Sequence, residues 1–321
     1  MLPKSLLSAI KNPKNKVFVV AAHVHLEGDA LGSELAMAAL LKTFGKKVII
    51  VNEDLPPAEY SFLPDIQTIR HDNAPLDYDV AVLVDCSDIS RIGKTAKIIQ
   101  KNRLLINIDH HISNTWFGDI NWVKPKASSA SEMIYELFKA LDVKMNKKDA
   151  LFLYTGILAD TGSFKYSTTS AFTHKVACDL LEHGLDVYGI YSQLHESKDF
   201  STMKALGKIF QTLQRDKSGR VAWLEVRSSL IKKSPELAEQ TDDIIHFARS
   251  VKGVEVALLF KEVRPRHEVR INFRSRGKVD VNKLAGFFGG GGHKMASGAT
   301  VRGNFKKVVA KVVSQAQKRV R

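Results

Sequence analysis

Cysteine is scarce. Only Cys86 and Cys178 occur in 321 residues, and no C-x-x-C pair is present. Nothing here builds a disulfide framework, and a reducing, cytoplasmic setting is the expectation. Long apolar runs are missing too. The strongest near the start, Val17 to Ala22, is six residues long and runs into His23. It is too short for the apolar stretch of a signal peptide and far too short to span a bilayer. There is no internal repeat and no low-complexity tract. Acid is in deficit, with 34 Asp and Glu against 48 Lys and Arg, a formal charge of +14. That balance implies attraction to nucleotides, nucleic acid or phosphates, without defining a specific nucleic-acid site. What is present, 44% hydrophobic and 26% charged residues, is the make-up of a soluble globular protein. The length fits about two domains at ~150 residues each.

The first half alternates strand-like and helix-like segments. Strands are expected at Val17–Ala22, Lys47–Val51, Val80–Val84 and Leu104–Ile108, and helices at Leu31–Phe44 and, short and basic, Lys94–Lys101. This alternation predicts an α/β domain, a mostly parallel sheet flanked by helices on both faces. Helices then follow at Ser128–Leu141, Lys147–Ala159 and Ser170–His183. The segment Val187–Thr212 reads as polar helix with a break near Ser197–Thr202. The remainder is a smaller mixed-sheet α/β unit, with strands at Val221–Val226, Val254–Phe260 and Glu268–Phe273. Its helices fall at Pro235–Val251, Val281–Phe287 and Phe305–Arg321. The expected domains are residues 1–195 and 213–321, joined by a helical linker at 196–212. The basic face of the last helix is read as a solvated surface.

Four clusters of metal-ligating residue types stand at the ends of apolar segments, the edge where open α/β sheets bind ligands. The first is His23-Val-His-Leu-Glu27-Gly-Asp29, after the first strand. An imidazole and two carboxylates suit a divalent ion; the alternative is a polar loop with a capping acid. Asp85-Cys-Ser-Asp88 follows the third strand, with Arg91 placed to meet a phosphate or simply solvent. Asp109-His110-His111 follows the fourth strand. Adjacent residues of an extended chain point apart, so the two His can take different tasks, one toward a metal and the other toward substrate; the alternative is a hydrogen-bonded polar corner. Asp160-Thr-Gly-Ser163 follows Leu151 to Ala159, an uncharged stretch of helix; the alternative is a C-terminal turn acid, which the helix dipole disfavours. Together His23, Glu27, Asp29, Asp85, His110 and Asp160 suit two divalent ions with a bridging carboxylate. Two such ions activate a water and stabilise the leaving oxygen of a phosphoester. In the second unit, Phe288-Gly-Gly-Gly-Gly-His293 offers backbone amides and an imidazole to an anion or nucleotide; the alternative is a flexible hinge. Arg274-Ser275, expected on a loop after a strand, joins it.

These motifs in this order resemble the DHH phosphoesterase superfamily with its DHH-associated C-terminal domain, over nearly the whole chain. Within it the chain looks most like the nanoRNase A type, the bifunctional oligoribonucleases and 3′-phosphoadenosine 5′-phosphate (pAp) phosphatases. The resemblance implies that His23, Glu27 and Asp85 hold one manganese, and Asp29, Asp85, His110 and Asp160 the other, with Asp85 bridging. It implies that His111 faces the scissile phosphate and assists the leaving group, and that Asp109 orients a neighbour. Arg91, Arg274, Ser275, Gly290, Gly291, Gly292 and His293 would contact substrate. One departure stands out. The family's first motif reads His-x-x-Pro-Asp-x-Asp, and here Leu26 replaces Pro and Glu27 replaces the first Asp. The extra methylene requires the backbone to set back, or that metal to bind more weakly. His25 lies outside the pattern and reads as a loop residue.

The expectation is therefore a two-domain enzyme using two divalent ions, manganese first, with magnesium or cobalt as alternatives. It would cleave short oligoribonucleotides, linear pApA included, to nucleoside monophosphates, and pAp to AMP, from a cleft between its domains. A homodimer is expected from family analogy alone. The rivals are a RecJ-like single-strand exonuclease, a polyphosphate or pyrophosphate hydrolase, a membrane-bound cyclic-dinucleotide phosphodiesterase, and a non-catalytic nucleotide-binding protein.

Overall fold

The computed structural model describes residues 2–72, 74–197, 199–232, 237–264 and 268–320. The chain divides into two compact units, Met1–Ser197 and Lys198–Arg321.

The first unit opens with helix α1 (Lys4–Lys11), whose Leu6 and Ile10 are buried. Then come β1 (Val17–Ala21), α2 (Gly28–Thr43), β2 (Lys47–Ile50), β3 (Val80–Val84), β4 (Leu104–Asp109) and β5 (Ile120–Val123). The five strands form one parallel sheet in the order β2-β1-β3-β4-β5. Val80-Ala-Val-Leu-Val84 is buried at every position, as a central parallel strand covered on both faces must be. The chain leaves β1 for β2 on one side and returns to β3 on the other. The crevice at their carboxyl ends is thus the topological switch point of the sheet.

Helices α3 (Ala130–Ala140), α4 (Lys147–Asp160), α5 (Ala171–Leu181) and α6 (Val187–His195) complete the unit. Helix α2 is buried almost all round, because sheet residues lie on one side of it and α3 and α4 on the other. Glycines permit that approach. A Cβ on Gly32 would lie 2.4 Å from the backbone oxygen of Phe152. The opposite face of the sheet, Val19, Ala21, Ala81 and Leu83, packs under Ile92 and Ile98. The helix expected at Lys94–Lys101 is instead a 3₁₀ run at Ile89–Lys97, broken at Gly93 by a φ of 59°. Strand β5 was not expected; it is four residues long and only Trp122 is buried.

In the second unit, α7 (Phe200–Phe210) precedes β6 (Gln214–Arg215), β7 (Val221–Val226), α8 (Ser228–Ile231) and α9 (Leu237–Ser250). After them come β8 (Val256–Arg264), β9 (Glu268–Ser275), α10 (Val281–Gly286), β10 (Gly291–Gly292), β11 (Ala296–Arg302) and α11 (Phe305–Gln317). The sheet order is β10-β11-β9-β8-β7-β6, mixed, with β7 and β8 parallel and the other pairs antiparallel. One face packs on α10 and α11; the other, at β7 and β8, packs on α7 and α9. The α7 helix, read from sequence as part of a linker, buries Ala205, Leu206 and Ile209 in this second core. The start of the helix expected at Pro235 lies outside the described residues. Strand β11 was not expected, since Ala296-Ser-Gly-Ala-Thr300 carries almost no apolar signal.

Candidate metal centre

The crevice at the carboxyl ends of β1, β3 and β4 gathers all six residues expected to hold metal. His23 follows β1. Its Nδ1 lies 2.7 Å from the carbonyl of Val24, a bond that assigns the ring proton to Nδ1 and turns Nε2 inward, 3.3 Å from Oδ2 of Asp85. Asp85 follows β3 with a φ of 52°, a left-handed conformation that Asp tolerates better than most residues. Its Oδ1 lies 3.3 Å from Nε2 of His110, and that Nε2 lies 3.4 Å from Oδ2 of Asp160 and 3.9 Å from Oδ2 of Asp29. Asp85 is thus flanked by both imidazoles.

Glu27 is the N-cap of α2. Its Oε1 accepts from the amides of Asp29 and Ala30 at 3.0 and 2.9 Å, so the longer side chain folds back on the helix start while its carboxylate stays beside His23 and Asp85. Leu26, in the place of the family's Pro, is buried in the main core. His25 is exposed, its amide tied to Asp54, and belongs to no ligand cluster among the described residues. Gly28 lets α2 begin against the end of α4, since a Cβ there would lie 2.5 Å from the Cβ of Ala159. That approach brings Asp29 to Asp160. Asp29 is fully buried and accepts from the amides of Ala130 and Ser131 at 2.6 and 2.9 Å, where the N-terminus of α3 favours its negative charge. This second duty of Asp29 was missed in the sequence; its partners lie in a run of small residues that reads only as a helix start.

His111 points outward from the cluster, its side chain 43% exposed. Its Nδ1 is 2.7 Å from Oδ1 of Asp109, whose Oδ2 accepts from Asn114 at 2.6 Å. Asn114 also reaches Asn107 and the carbonyl of Cys86. Asp109 is buried and outside the metal triads; it fixes the His111 ring and leaves Nε2 for another partner. Nδ1 of His111 is also 3.6 Å from Asp85.

Three triads have ligand atoms within 4.8 Å of one another: His23, Glu27 and Asp85; Asp29, His110 and Asp160; and Asp85, His110 and His111. The electrostatics are those of a cation seat. Burial, then the charges of Asp85 and Asp160, push Asp29 up to about 7. Asp160 is pushed up to about 6 by burial first, and Glu27 well above the usual range by burial and then Asp85. Burial works against charge on His23 and His110, yet contact with Asp85 outweighs it and raises them to about 9 and about 10. Asp85 is held below the usual carboxylate range because His110 and His23 outweigh its burial. Oδ1 of Asp85 is buried without a hydrogen-bond partner, although an imidazole nitrogen is 3.3 Å away. A carboxylate oxygen left in this way among imidazoles and acids fits a divalent ion taking N and O ligands.

The remaining expected residues divide. Arg91 is exposed on the 3₁₀ run; its carbonyl accepts from Val24 and so joins the first loop to the third. In the second unit, Arg274 and Ser275 lie within β9 and not on the loop after it. Ser275 is fully buried and its hydroxyl holds the amide of Gly277 at 2.8 Å. It is a turn former with no surface to offer a substrate, which corrects the expectation. The amide of Gly290 donates to Ala285, so it is not free for an anion either. A Cβ on Gly290 would lie 2.1 Å from the carbonyl oxygen of Gly298: this glycine is required by packing against β11. Gly291 and Gly292 pair with Gly298 and Ser297. His293 is exposed at the turn that follows, and Arg274 on β9 pairs in register with Ala296 just beyond that turn.

The N-terminal domain of the DHH family matches residues 17–157, and the DHHA1 domain matches residues 236–320. The chain is 30% identical over 304 residues to the bifunctional oligoribonuclease and PAP phosphatase NrnA of Thermus thermophilus, a match covering 94% of this chain and 88% of that protein. To the protein of the same description from Bacillus subtilis it is 29% identical over 286 residues, 88% of each chain. Among solved structures, an exopolyphosphatase-related protein from Bacteroides fragilis superposes with a TM-score of 0.87 at 25% identity, over 99% of this chain and 98% of that one. With both domains matched and such relatives similar over most of its length, the chain belongs to the DHH phosphoesterase family, hydrolases of phosphoester bonds.

Proposed function

We propose that this protein is a manganese-dependent phosphoesterase that hydrolyses short oligoribonucleotides, linear dinucleotides such as pApA included, to nucleoside monophosphates, and pAp to AMP. The observation that carries the reading is Asp85, buried between His23 and His110 with one oxygen left unsatisfied. In this reading His23, Glu27 and Asp85 hold one divalent ion, and Asp29, Asp85, His110 and Asp160 the second. The pair of ions, when bound, supplies an activated water as nucleophile and charge stabilisation at phosphorus. Asp109 fixes His111 through Nδ1, so Nε2 is presented to the leaving oxygen, to which it gives a proton. Arg91, Arg274, His293 and the Gly291–Gly292 backbone take phosphate or base groups of the substrate. The Thermus and Bacillus relatives, named as oligoribonucleases and PAP phosphatases, support the substrate class. The enzyme is read as cytoplasmic. Both cysteines are free, which suits a reducing compartment, and no helix among the described residues is long and apolar enough to cross a membrane.

The test is turnover with manganese on a labelled dinucleotide and on pAp, comparing wild type with Asp85→Ala and Glu27→Asp. Wild type turns over both and Asp85→Ala neither. No turnover in wild type, together with activity gained by Glu27→Asp, overturns the reading in favour of a nucleotide-binding protein.

A further inference from the structure

Past the end of β2, the side chain of Asn52 takes the place of a strand. The last register pair of β1 and β2 is Val20 with Ile50. Beyond it the chain turns away from β1, and the amide of Asn52 donates to the carbonyl of Arg70 at 2.8 Å. The amide of Ala22, the residue before His23, still faces the side where β2 has ended. It donates to Oδ1 of Asn52 at 3.0 Å. Nδ2 of Asn52 donates in turn to Oε2 of Glu34, on α2, at 2.9 Å. All three residues are buried, Glu34 completely.

Folding alone does not ask for Glu34. Its Oε1 is buried without a partner, and leaving a buried polar atom unpaired is costly. An apolar side chain of similar volume at such a place is often neutral or stabilising. What the carboxyl does is join two elements that carry metal-ligating residues. His23 hangs from the end of β1, one residue after Ala22. Glu27 caps α2, about two turns and ~10 Å of helix before Glu34. The path Ala22–Asn52–Glu34 ties the end of that strand to that helix. Asp29 lies on the same helix but has its own anchor, the amides of Ala130 and Ser131. His110 and Asp160 stand after β4 and at the end of α4, outside the path.

We propose that Asn52 and Glu34 are positioning residues for one of the two ions, the ion of His23, Glu27 and Asp85. The pair sets the separation between the imidazole after β1 and the carboxylate at the start of α2. This rests on the reading above, in which those three residues hold a divalent ion. Metal–ligand distances tolerate only about ±0.2 Å, so a small slip of α2 against β1 weakens that ion. The longer side chain of Glu27 makes the placing of its helix matter more. The ion of Asp29, His110 and Asp160 does not depend on the clamp.

The test is calorimetric titration of the full-length, metal-free protein with manganese, beside thermal melts of the same samples. Wild type takes up two ions. In Glu34→Met one ion binds about 10–100-fold more weakly, the usual cost of removing a group that holds a metal ligand in place, and the other binds as in wild type. The metal-free Met variant melts no lower than wild type. A sounder core with a poorer site is a combination that a packing role does not produce. Glu34→Gln keeps an oxygen for Asn52 and binds both ions as wild type does. Asn52→Leu, which removes both bonds without adding charge, weakens the same ion as Glu34→Met. Two ions bound by Glu34→Met as tightly as by wild type overturn the proposal. So does equal weakening of both ions with a lower melting temperature, which would make the pair purely structural. If wild type itself takes up no manganese, the reading of the metal centre falls and the proposal with it, a failure visible before any variant is made.

Discussion

Asp109 holds the imidazole of His111 by a bond of 2.7 Å at Nδ1 and takes no place in the triad that binds Asp29, His110 and Asp160. The bond also raises the His111 pKa. Loss of this partner frees the ring to turn. Asp109→Ala is expected to lower kcat by about 10–100-fold, the usual cost of removing a group that orients another, with KM little changed. Steady-state kinetics on a dinucleotide check it; a rise in KM at constant kcat would place Asp109 in substrate binding instead.

Glu27 has two separable duties, capping α2 and presenting a carboxylate to His23 and Asp85. Glu27→Ala loses both and is expected to cost about 1 kcal/mol of stability through the cap. Glu27→Gln keeps an oxygen for the amides of Asp29 and Ala30, so the metal-free protein melts near the wild-type temperature. What the Gln variant loses is the stabilisation by manganese, which in wild type reaches ~2.7 kcal/mol at a hundredfold excess over Kd. Thermal melts with and without manganese separate the two variants.

Gly156 lies where α4 crosses the start of α3. A Cβ there would stand 2.0 Å from Oγ of Ser131 and 2.9 Å from Oδ1 of Asp29. Gly156→Ala is expected to destabilise by about 1–3 kcal/mol as an overpacked core and to weaken manganese binding, because Asp29 must move. Calorimetric titration with manganese reads the second effect; binding as tight as wild type would show that Asp29 is not a ligand.

Glu34 accepts from Asn52 at 2.9 Å, and its other oxygen is buried without a partner. Burial pushes its carboxyl up from 4.5 to about 8. The folded state therefore holds a proton that the unfolded state releases, so this contribution to stability is present below about 4.5 and is lost as pH rises through about 8. Glu34→Gln removes the dependence. Melting of the metal-free protein at pH 5.5 and 8.5 is expected to favour the Gln variant at the higher pH by several degrees, at about 2–4 °C per kcal/mol. An equal difference at both values would contradict it.

The parallel sheet and the placing of the candidate metal-binding residues at its edge were legible because each strand is an apolar run that stops at a polar residue. His23, Asp85 and His110 declare themselves in that way. The second unit was less readable. Strand β11 opens with Ala296, Ser297, Gly298 and Ala299, which lack the alternation that marks a strand. With its neighbour unseen, the glycine run looked like an open anion loop, although Gly290 and Gly292 are small because β11 presses against them. Ser275 was misplaced for a related reason: β9 continues two residues past its last large apolar side chain. The pairing of Asp29 with the start of α3 was invisible because no local pattern records a contact 101 residues away.

That distance bears on how the protein is made. The first motif, residues 23–29, is complete early in synthesis, yet Asp29 has no fixed position until Ala130 and Ser131 have been added and helix α3 has started. Asp160 arrives later still. A nascent chain that captured a cation with its first hundred residues would grip it with a carboxylate still free to rotate. With Asp29 and Asp160 as ligands, as proposed, the long loops that must close first make metal capture a late event in folding, one that follows the docking of α3 and α4 and does not seed it.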